Sequence, residues 1–376
     1  MKAVIIGAGP AGLAAAACLK QVGADVVLLE KAGTIASSWE QHYDCLHLHT
    51  ARVRSQLPGP DYPASVGRYP SRTDVIAYLR DYQRHHDLRP RLGCNVTGVS
   101  KSPTGWQVSL AEESLEADVV VMATGLNGAP HLPANLTGTD FAGQILHASA
   151  YRNPNPYIGH RALVVGFGNS GGDIALDLAD AGVDVTLSVR GPVNILPKEL
   201  LGVPITSFGL LSKLLGYRLA DTLTAPILRL AVGRPEDYGL QSTGKGPGAR
   251  VIEDGRVPLI DVGTLGAIKH GRIAVKPGID RVTTDMVHFT DGTNAPFDAV
   301  IAATGYLVDL NPLLGADCGA LDGQGRPKTS GADNDLPGLF FCSYRVSPDG
   351  QLFATAQEAR AIAAKVRDDF GLAPPA

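Results

Sequence analysis

Lys2-Ala-Val-Ile-Ile6 runs straight into Gly7-Ala8-Gly9-Pro10-Ala11-Gly12, then Leu13 to Gln21 reads as an alanine-rich helix, and Asp25 to Leu29 as a second apolar strand ending at Glu30. A strand, a GxGxxG turn, a helix and a further strand make a βαβ unit that takes a dinucleotide. The first glycine makes the tight turn, the second admits pyrophosphate against bare backbone, and the third lets helix pack on strand with the phosphates at the helix N-terminus. Alone, the pattern also fits a glycine turn that does nothing but pack. Here it occurs twice. Ala162 to Val165 leads into Gly166-Phe167-Gly168-Asn169-Ser170-Gly171, a helix from Gly172 to Ala181 and a strand from Asp184 to Val189. The spacing from first glycine to the aspartate opening the second strand is the same in both copies, Gly7 to Asp25 and Gly166 to Asp184.

The residue closing each second strand separates the two occupants. Glu30 accepts hydrogen bonds from a ribose diol and repels a 2′-phosphate, which suits FAD. Lys31 beside it joins the candidate set. In the second copy Val189 takes the acid's place and Arg190 follows, either as a surface arginine or as the cation that pairs a 2′-phosphate, which suits NADPH. Two further runs match each other, Ala117 to Met122 before Ala123-Thr124-Gly125 and Phe297 to Ala302 before Ala303-Thr304-Gly305. Each is an ordinary strand end or a small-residue turn that lets backbone approach a ligand. Asn153 to Gly159 reads as a linker and Gly233 to Gly248 as a long surface loop. The expected fold is α/β, with two Rossmann-like dinucleotide-binding domains: FAD in 1–155 and 285–376, NADPH in an inserted 156–284.

At 376 residues the chain has length for two domains and a large core. A net charge of −4 built from interspersed signs excludes a basic face for nucleic acid. The apolar opening imitates a secretion signal, but its glycines serve the turn and Glu30 and Lys31 close it. Ile205 to Val232 is broken by Lys213, Arg218, Asp221 and Arg229, so no membrane span is expected there and a cytoplasmic enzyme is. Cys18, Cys45, Cys94, Cys318 and Cys342 lie far apart with no CxxC. Disulfide reductases need a closely spaced pair beside the flavin, so that branch is disfavoured. No metal site is expected: His42, His47 and His49 cluster, but no carboxylate or cysteine completes a ligand set.

Between the two turns, Phe141-Ala-Gly143-Gln-Ile-Leu-His147-Ala-Ser-Ala-Tyr151 is FxGxxxHxxxY. This resembles the identifying pattern of class B flavin-containing monooxygenases at every fixed position. Baeyer–Villiger enzymes carry a related pattern ending in Trp followed by Pro or Asp, whereas Arg152 follows here. Ser38-Trp39 with Tyr43-Asp44-Cys-Leu46-His-Leu48-His49, Tyr69-Pro70 with its helix, Gly168-Asn169-Ser170-Gly171, Val257-Pro258 to Gly263, and Ala303-Thr304-Gly305-Tyr306 are similar to segments of the YUCCA-type indole-3-pyruvate monooxygenases and their bacterial relatives. The resemblance spans nearly the whole chain.

The resemblance implies an NADPH- and O2-dependent monooxygenase that puts one oxygen atom into a small organic substrate, a 2-oxo acid or a soft nitrogen or sulfur nucleophile, through a flavin C4a-(hydro)peroxide. It implies cofactor contacts at Gly7, Gly9, Pro10, Ala11, Gly12, Glu30, Lys31, Trp39, Thr124 and Gly125 on the flavin side. On the nicotinamide side it implies Gly166, Gly168, Asn169, Ser170, Gly171, Arg190 and Gly305. Gln357 belongs to a C-terminal helix, with Thr355 near its start, that in the family points its positive end at the flavin's pyrimidine edge or simply covers the sheet. His49 stands where animal and yeast relatives have an asparagine, as it does in the YUCCA type. It is a candidate catalytic residue or a core histidine. The segment Ile195 to Val232 either walls a substrate entrance or packs between domains or subunits. A monomer and a homodimer both fit. The rival functions are an NADPH-dependent flavin reductase or oxidase without oxygen insertion, and a non-catalytic flavin-binding redox sensor.

Overall fold

The computed structural model describes residues 1–208 and 215–373, so 209–214 of the Ile195 to Val232 segment lie outside the described residues. The chain divides into two compact units: Met1–Glu40, Thr50–Ala129 and Tyr306–Ala376 form unit 1, and Gln41–His49 with Pro130–Gly305 forms unit 2. Each is α/β and Rossmann-like.

In unit 1 a four-stranded parallel sheet has the order Asp25–Leu29, Lys2–Ile6, Val119–Met122, Leu339–Phe341. Val119–Met122 is buried at every position, as expected for a parallel strand covered on both faces. The helix Pro10–Gln21 packs against the C-terminal helix Gln351–Phe370. Ala14, Ala15, Ala16 and Ala17 are at most 1% exposed, and their small side chains permit that close approach. The helix Arg72–His85 starts at a capping box in which Ser71 and Asp74 satisfy each other's backbone amides.

Unit 2 repeats the plan with five parallel strands in the order Ile273–Lys276, Asp184–Ser188, Arg161–Val165, Ala299–Ala302, Gln144–His147. Both helices after the glycine turns begin three residues earlier than the hydrophobic pattern indicates, at Pro10 and Asn169, inside the glycine motif. Proline at the first helical position is preorganised for this, since its missing N–H would be unsatisfied anyway. The stretch read as a linker, Asn153 to Gly159, lies mostly at the surface and carries one buried anchor. Tyr157 is buried and stacks on Tyr151 with ring centroids 5.8 Å apart. Gly233 to Gly248 holds a short 3-10 turn, Pro235–Tyr238, and buries Leu240.

Candidate functional site

The two glycine turns have the same geometry. Gly7 has φ +106° and Gly166 φ +107°, a region open to glycine. A Cβ at either would fall 2.5 Å from a carbonyl oxygen, that of Ala123 or of Ala303. The matched small-residue turns are therefore the backbone against which each first glycine rests. A Cβ at Gly12 would sit 1.7 Å from the Gly7 oxygen, and one at Gly171 2.1 Å from the Gly166 oxygen. At Gly9 and Gly168, by contrast, a Cβ would meet nothing within 4 Å. Both helices start without a side-chain cap or an acid in the first turn. Free amides and dipole thus remain for an anion beside bare backbone, and the turns fit dinucleotide pyrophosphates.

Glu30 is buried, and its carboxylate braces the first turn: Oε2 accepts from Ala8 N–H at 2.7 Å and Oε1 from Ala32 N–H at 2.9 Å. Two hydrogen bonds leave lone pairs for a ribose diol. Lys31 and Thr124 are exposed, and Trp39 is half-buried on the short helix Ser37–Glu40. Thr124 N–H and Oγ1 both meet Tyr344 Oη, at 3.1 and 2.6 Å, which orders the turn before Gly125. Burial pushes the Tyr344 phenol up to about 12. Next to it Ser343, buried, holds φ +70°, a strained setting for a non-glycine residue. Glu358 imposes it by accepting the Ser343 N–H at 2.5 Å, and the hydroxyl bonds Thr355 at 2.7 Å. Gln357, one residue before Glu358, is exposed on the C-terminal helix.

In unit 2, Gly166, Gly168, Thr304 and Arg190 line one cavity of about 480 Å³. Arg250, Arg256, His131 and Asn194 line it too, and sequence reasoning missed all four. Gly278 lies beneath Arg190, so that a Cβ there would come within 3.1 Å of the Arg190 Cγ. Arg250 is held by donating to the Pro192 carbonyl at 3.1 Å. The available signal was the pair of arginines following the glycine-rich stretch before residue 248. Asn169 turns its oxygen to the Ile260 N–H at 2.8 Å, bracing the turn, and Ser170 is exposed.

Two of the FxGxxxHxxxY residues, His147 and Tyr151, make structural hydrogen bonds within unit 2. His147 Nδ1 accepts the Ser149 N–H at 3.1 Å, which leaves Nε2–H to donate to the Gly305 carbonyl at 2.9 Å. Burial lowers its pKa, favouring that neutral ring. Gly305, with φ +81°, also accepts from His131 N–H. Tyr151 is fully buried and donates to Asp177 Oδ2 at 2.6 Å, clamping the helix Asn169–Asp180. One turn earlier on that helix, Asp173 accepts from Tyr43 Oη at 2.8 Å and lies 3.2 Å from His49 Nε2. The segment Gln41–His49 therefore belongs to unit 2 by its contacts. Asp173 was also missed; its signal was a pair of acids four residues apart on an otherwise apolar helix face.

Two dinucleotide-shaped turns, one followed by an acid and one by an arginine, define a two-dinucleotide flavoprotein oxidoreductase. The family model described as pyridine nucleotide-disulphide oxidoreductase matches residues 4–198. All five cysteines are free thiols. Indole-3-pyruvate monooxygenase YUCCA6 of Arabidopsis thaliana is 40% identical over 316 residues, covering 81% of this chain and 75% of its own. Probable indole-3-pyruvate monooxygenase YUCCA1 of the same plant is 34% identical over 374 residues, 98% of this chain and 90% of its own. A variant of a flavin monooxygenase from Stenotrophomonas maltophilia superposes with a TM-score of 0.76 at 25% identity, over 98% of both chains. The chain belongs to the flavin-containing monooxygenases of the YUCCA type, FAD-containing and NADPH-dependent oxidoreductases. Among the described residues no helix is long and apolar enough to cross a membrane.

Proposed function

We propose that unit 1 holds FAD, that unit 2 holds NADPH, and that the enzyme oxygenates a small 2-oxo acid. The observation that carries the cofactor assignment is the cavity beside Gly168, where Arg190, Arg250 and Arg256 stand around uncapped helix amides. Three cations suit a 2′-phosphate and the open glycine suits a pyrophosphate. Relatives named for indole-3-pyruvate, one of them 34% identical across 98% of this chain, support the substrate class.

When bound, FAD supplies acceptance of hydride from NADPH and reaction with dioxygen. The chain's own groups do the rest. The amides at Gly9, Ala11 and Gly12 carry the FAD pyrophosphate, Pro10 sets the first helical turn without an N–H of its own, Glu30 takes the ribose, and Lys31, Trp39, Thr124, Gly125 and Gln357 are further contacts. Gly168 and Gly305 give NADPH a close backbone approach, Gly166 and Gly171 shape the turn that presents it by packing on neighbouring backbone, Asn169 and Ser170 form the first turn of its helix, and Arg190 pairs the 2′-phosphate. His49 is the group proposed to hydrogen-bond the reacting ligands. Free, scattered thiols favour a reducing cytoplasm.

The balanced reaction consumes a 2-oxo acid, dioxygen, NADPH and a proton, and releases carbon dioxide, the shortened carboxylic acid, NADP+ and water. NADPH oxidation and oxygen uptake are measured with 2-oxo acids, amines, sulfides and cyclic ketones under isotopically labelled dioxygen. A 2-oxo acid is expected to stimulate both and to yield a shortened acid carrying one labelled oxygen. Peroxide accounting for all NADPH with every substrate would instead establish the reductase or oxidase reading.

A further inference from the structure

We propose that Asp173 is a positioning residue that holds His49 with its ring proton on Nε2, leaving Nδ1 as a standing hydrogen-bond acceptor. This rests on the reading of His49 as a group that meets the reacting ligands. Asp173 lies one turn into the helix that begins at the second glycine turn. Its two oxygens face different partners. Oδ2 accepts from Tyr43 Oη at 2.8 Å, whereas Oδ1 has no hydrogen bond of its own and lies 3.2 Å from His49 Nε2. Both side chains are 10% exposed, so little water can intervene.

A carboxylate oxygen and a bare ring nitrogen at that distance would oppose lone pair to lone pair, and the repulsion is removed when the nitrogen carries the proton. The surroundings keep Asp173 as the acceptor. Tyr43 remains a donor because burial first, and the nearby Asp173 charge second, push its phenol up. Lys198 also interacts electrostatically with Asp173, although burial lowers its pKa. The other titratable groups coupled to this cluster are Glu199, Cys45 and Asp177.

The histidine cannot simply drift away. Asp44 N–H donates to the Arg152 carbonyl at 2.8 Å, Asn153 Nδ2 donates to Asp44 Oδ2 at 3.1 Å, and Arg152 donates to the Gln41 carbonyl. The segment is thus pinned at its start and middle, and Asp173 orients its end. A purely structural anchor would need only the Tyr43 contact, whereas a positioning role needs the oxygen facing His49.

The test uses full-length enzyme carrying its flavin, with ring nitrogens of histidine labelled for NMR. Asp173→Asn keeps an acceptor for Tyr43 but can turn its amide N–H to Nε2, which drives the ring proton to Nδ1. A misassigned tautomer of this kind leaves geometry intact and cuts turnover. The native His49 signal is expected to show protonated Nε2, and Asp173→Asn protonated Nδ1. For that variant kcat should fall about 10- to 100-fold, as when the partner that orients a functional histidine is lost, with the KM for NADPH and the Tm little changed. Tyr43→Phe should lower the Tm and keep the native tautomer. A native His49 protonated on Nδ1, or an Asp173→Asn enzyme with native kcat, overturns the proposal. So do equal losses of kcat in Asp173→Asn and Tyr43→Phe that track their Tm. If Asp173→Asn does not fold, the native tautomer decides alone. His49→Gln with undiminished turnover refutes the role of His49 itself, and the tautomer measurement still decides whether Asp173 positions it.

Discussion

Alanine placed separately at Gly168 and Gly171 should break binding in one case and folding in the other. At Gly171 the new methyl would lie 2.1 Å from the Gly166 oxygen and 3.0 Å from its carbon. These are backbone atoms that cannot swing aside. Carbon contacts become favourable at about 3.5 Å, so helix and strand must separate by roughly 1 Å. Overpacking of this kind costs about 1–3 kcal/mol, and for a domain of this size each kcal/mol lowers the Tm by roughly 2–4 °C. At Gly168 the methyl meets nothing within 4 Å, and the backbone, φ −93° and ψ −175°, is extended and open to any residue. Its cost is that of exchanging glycine for alanine at an N-cap, at most about 1 kcal/mol. The methyl does fill the space where pyrophosphate would rest on bare backbone. The NADP+ Kd should therefore rise at least tenfold, about 1.4 kcal/mol, while the Tm stays near native. Thermal unfolding and fluorescence titration with NADP+ measure the two effects. A Gly168→Ala enzyme that binds NADP+ normally refutes the cradle, and a Gly171→Ala enzyme with native Tm refutes the packing argument. Gly9 and Gly12, open space and 1.7 Å respectively, repeat the contrast for flavin content per chain.

Arg190→Ala removes a cation from the cavity beside Gly168. A charged hydrogen bond is worth about 1.5–3 kcal/mol, so kcat/KM for NADPH should fall about 10- to 150-fold with that for NADH nearly constant; parallel losses with both would argue against a 2′-phosphate partner. Tyr151→Phe strands a carboxylate oxygen of Asp177 that now accepts at 2.6 Å. A cost of about 1–3 kcal/mol should appear as a lower denaturant midpoint, and an unchanged midpoint contradicts the clamp. Leu201 is 98% exposed at φ +50°, so Leu201→Gly should stabilise the protein by about 0.5–1 kcal/mol, read as a raised Tm. The hydrogen bonds from Arg161 hold the Asp298 carboxyl well below the usual carboxylate range. Its contribution to stability is present above about pH 4 and lost as pH falls through the depressed folded value. Asp298→Asn should accordingly flatten the acid limb of stability below about pH 4, and an unaltered limb would mean that the pair does not couple to folding.

The two βαβ units were legible because their determinants are local. Glycine spacing, the apolar strands and the acid or arginine after each second strand all fall within one short stretch. Even so, the helix starts lay three residues earlier than the apolar pattern indicated, because Pro10 and the glycines are helix-compatible at an N-terminus without contributing to an apolar face. The anchor inside the surface stretch Asn153 to Gly159 was hidden for a related reason. Proline and asparagine mark a turn, yet burial of Tyr157 is decided by Tyr151 and a distant sheet.

By itself the sequence determined that there are two dinucleotide turns, which occupant each suits and which family of flavoproteins shares the pattern between them. Only the tertiary structure decided what the pattern's residues do. His147 reaches Gly305, Tyr43 and His49 reach Asp173, Thr124 reaches Tyr344, and Arg250 and Arg256 join Arg190 in one cavity. Each of these pairings brings together residues far apart in the chain. A hydrogen bond or a shared cavity depends on distance in space, which sequence spacing specifies only within a single turn, helix or hairpin.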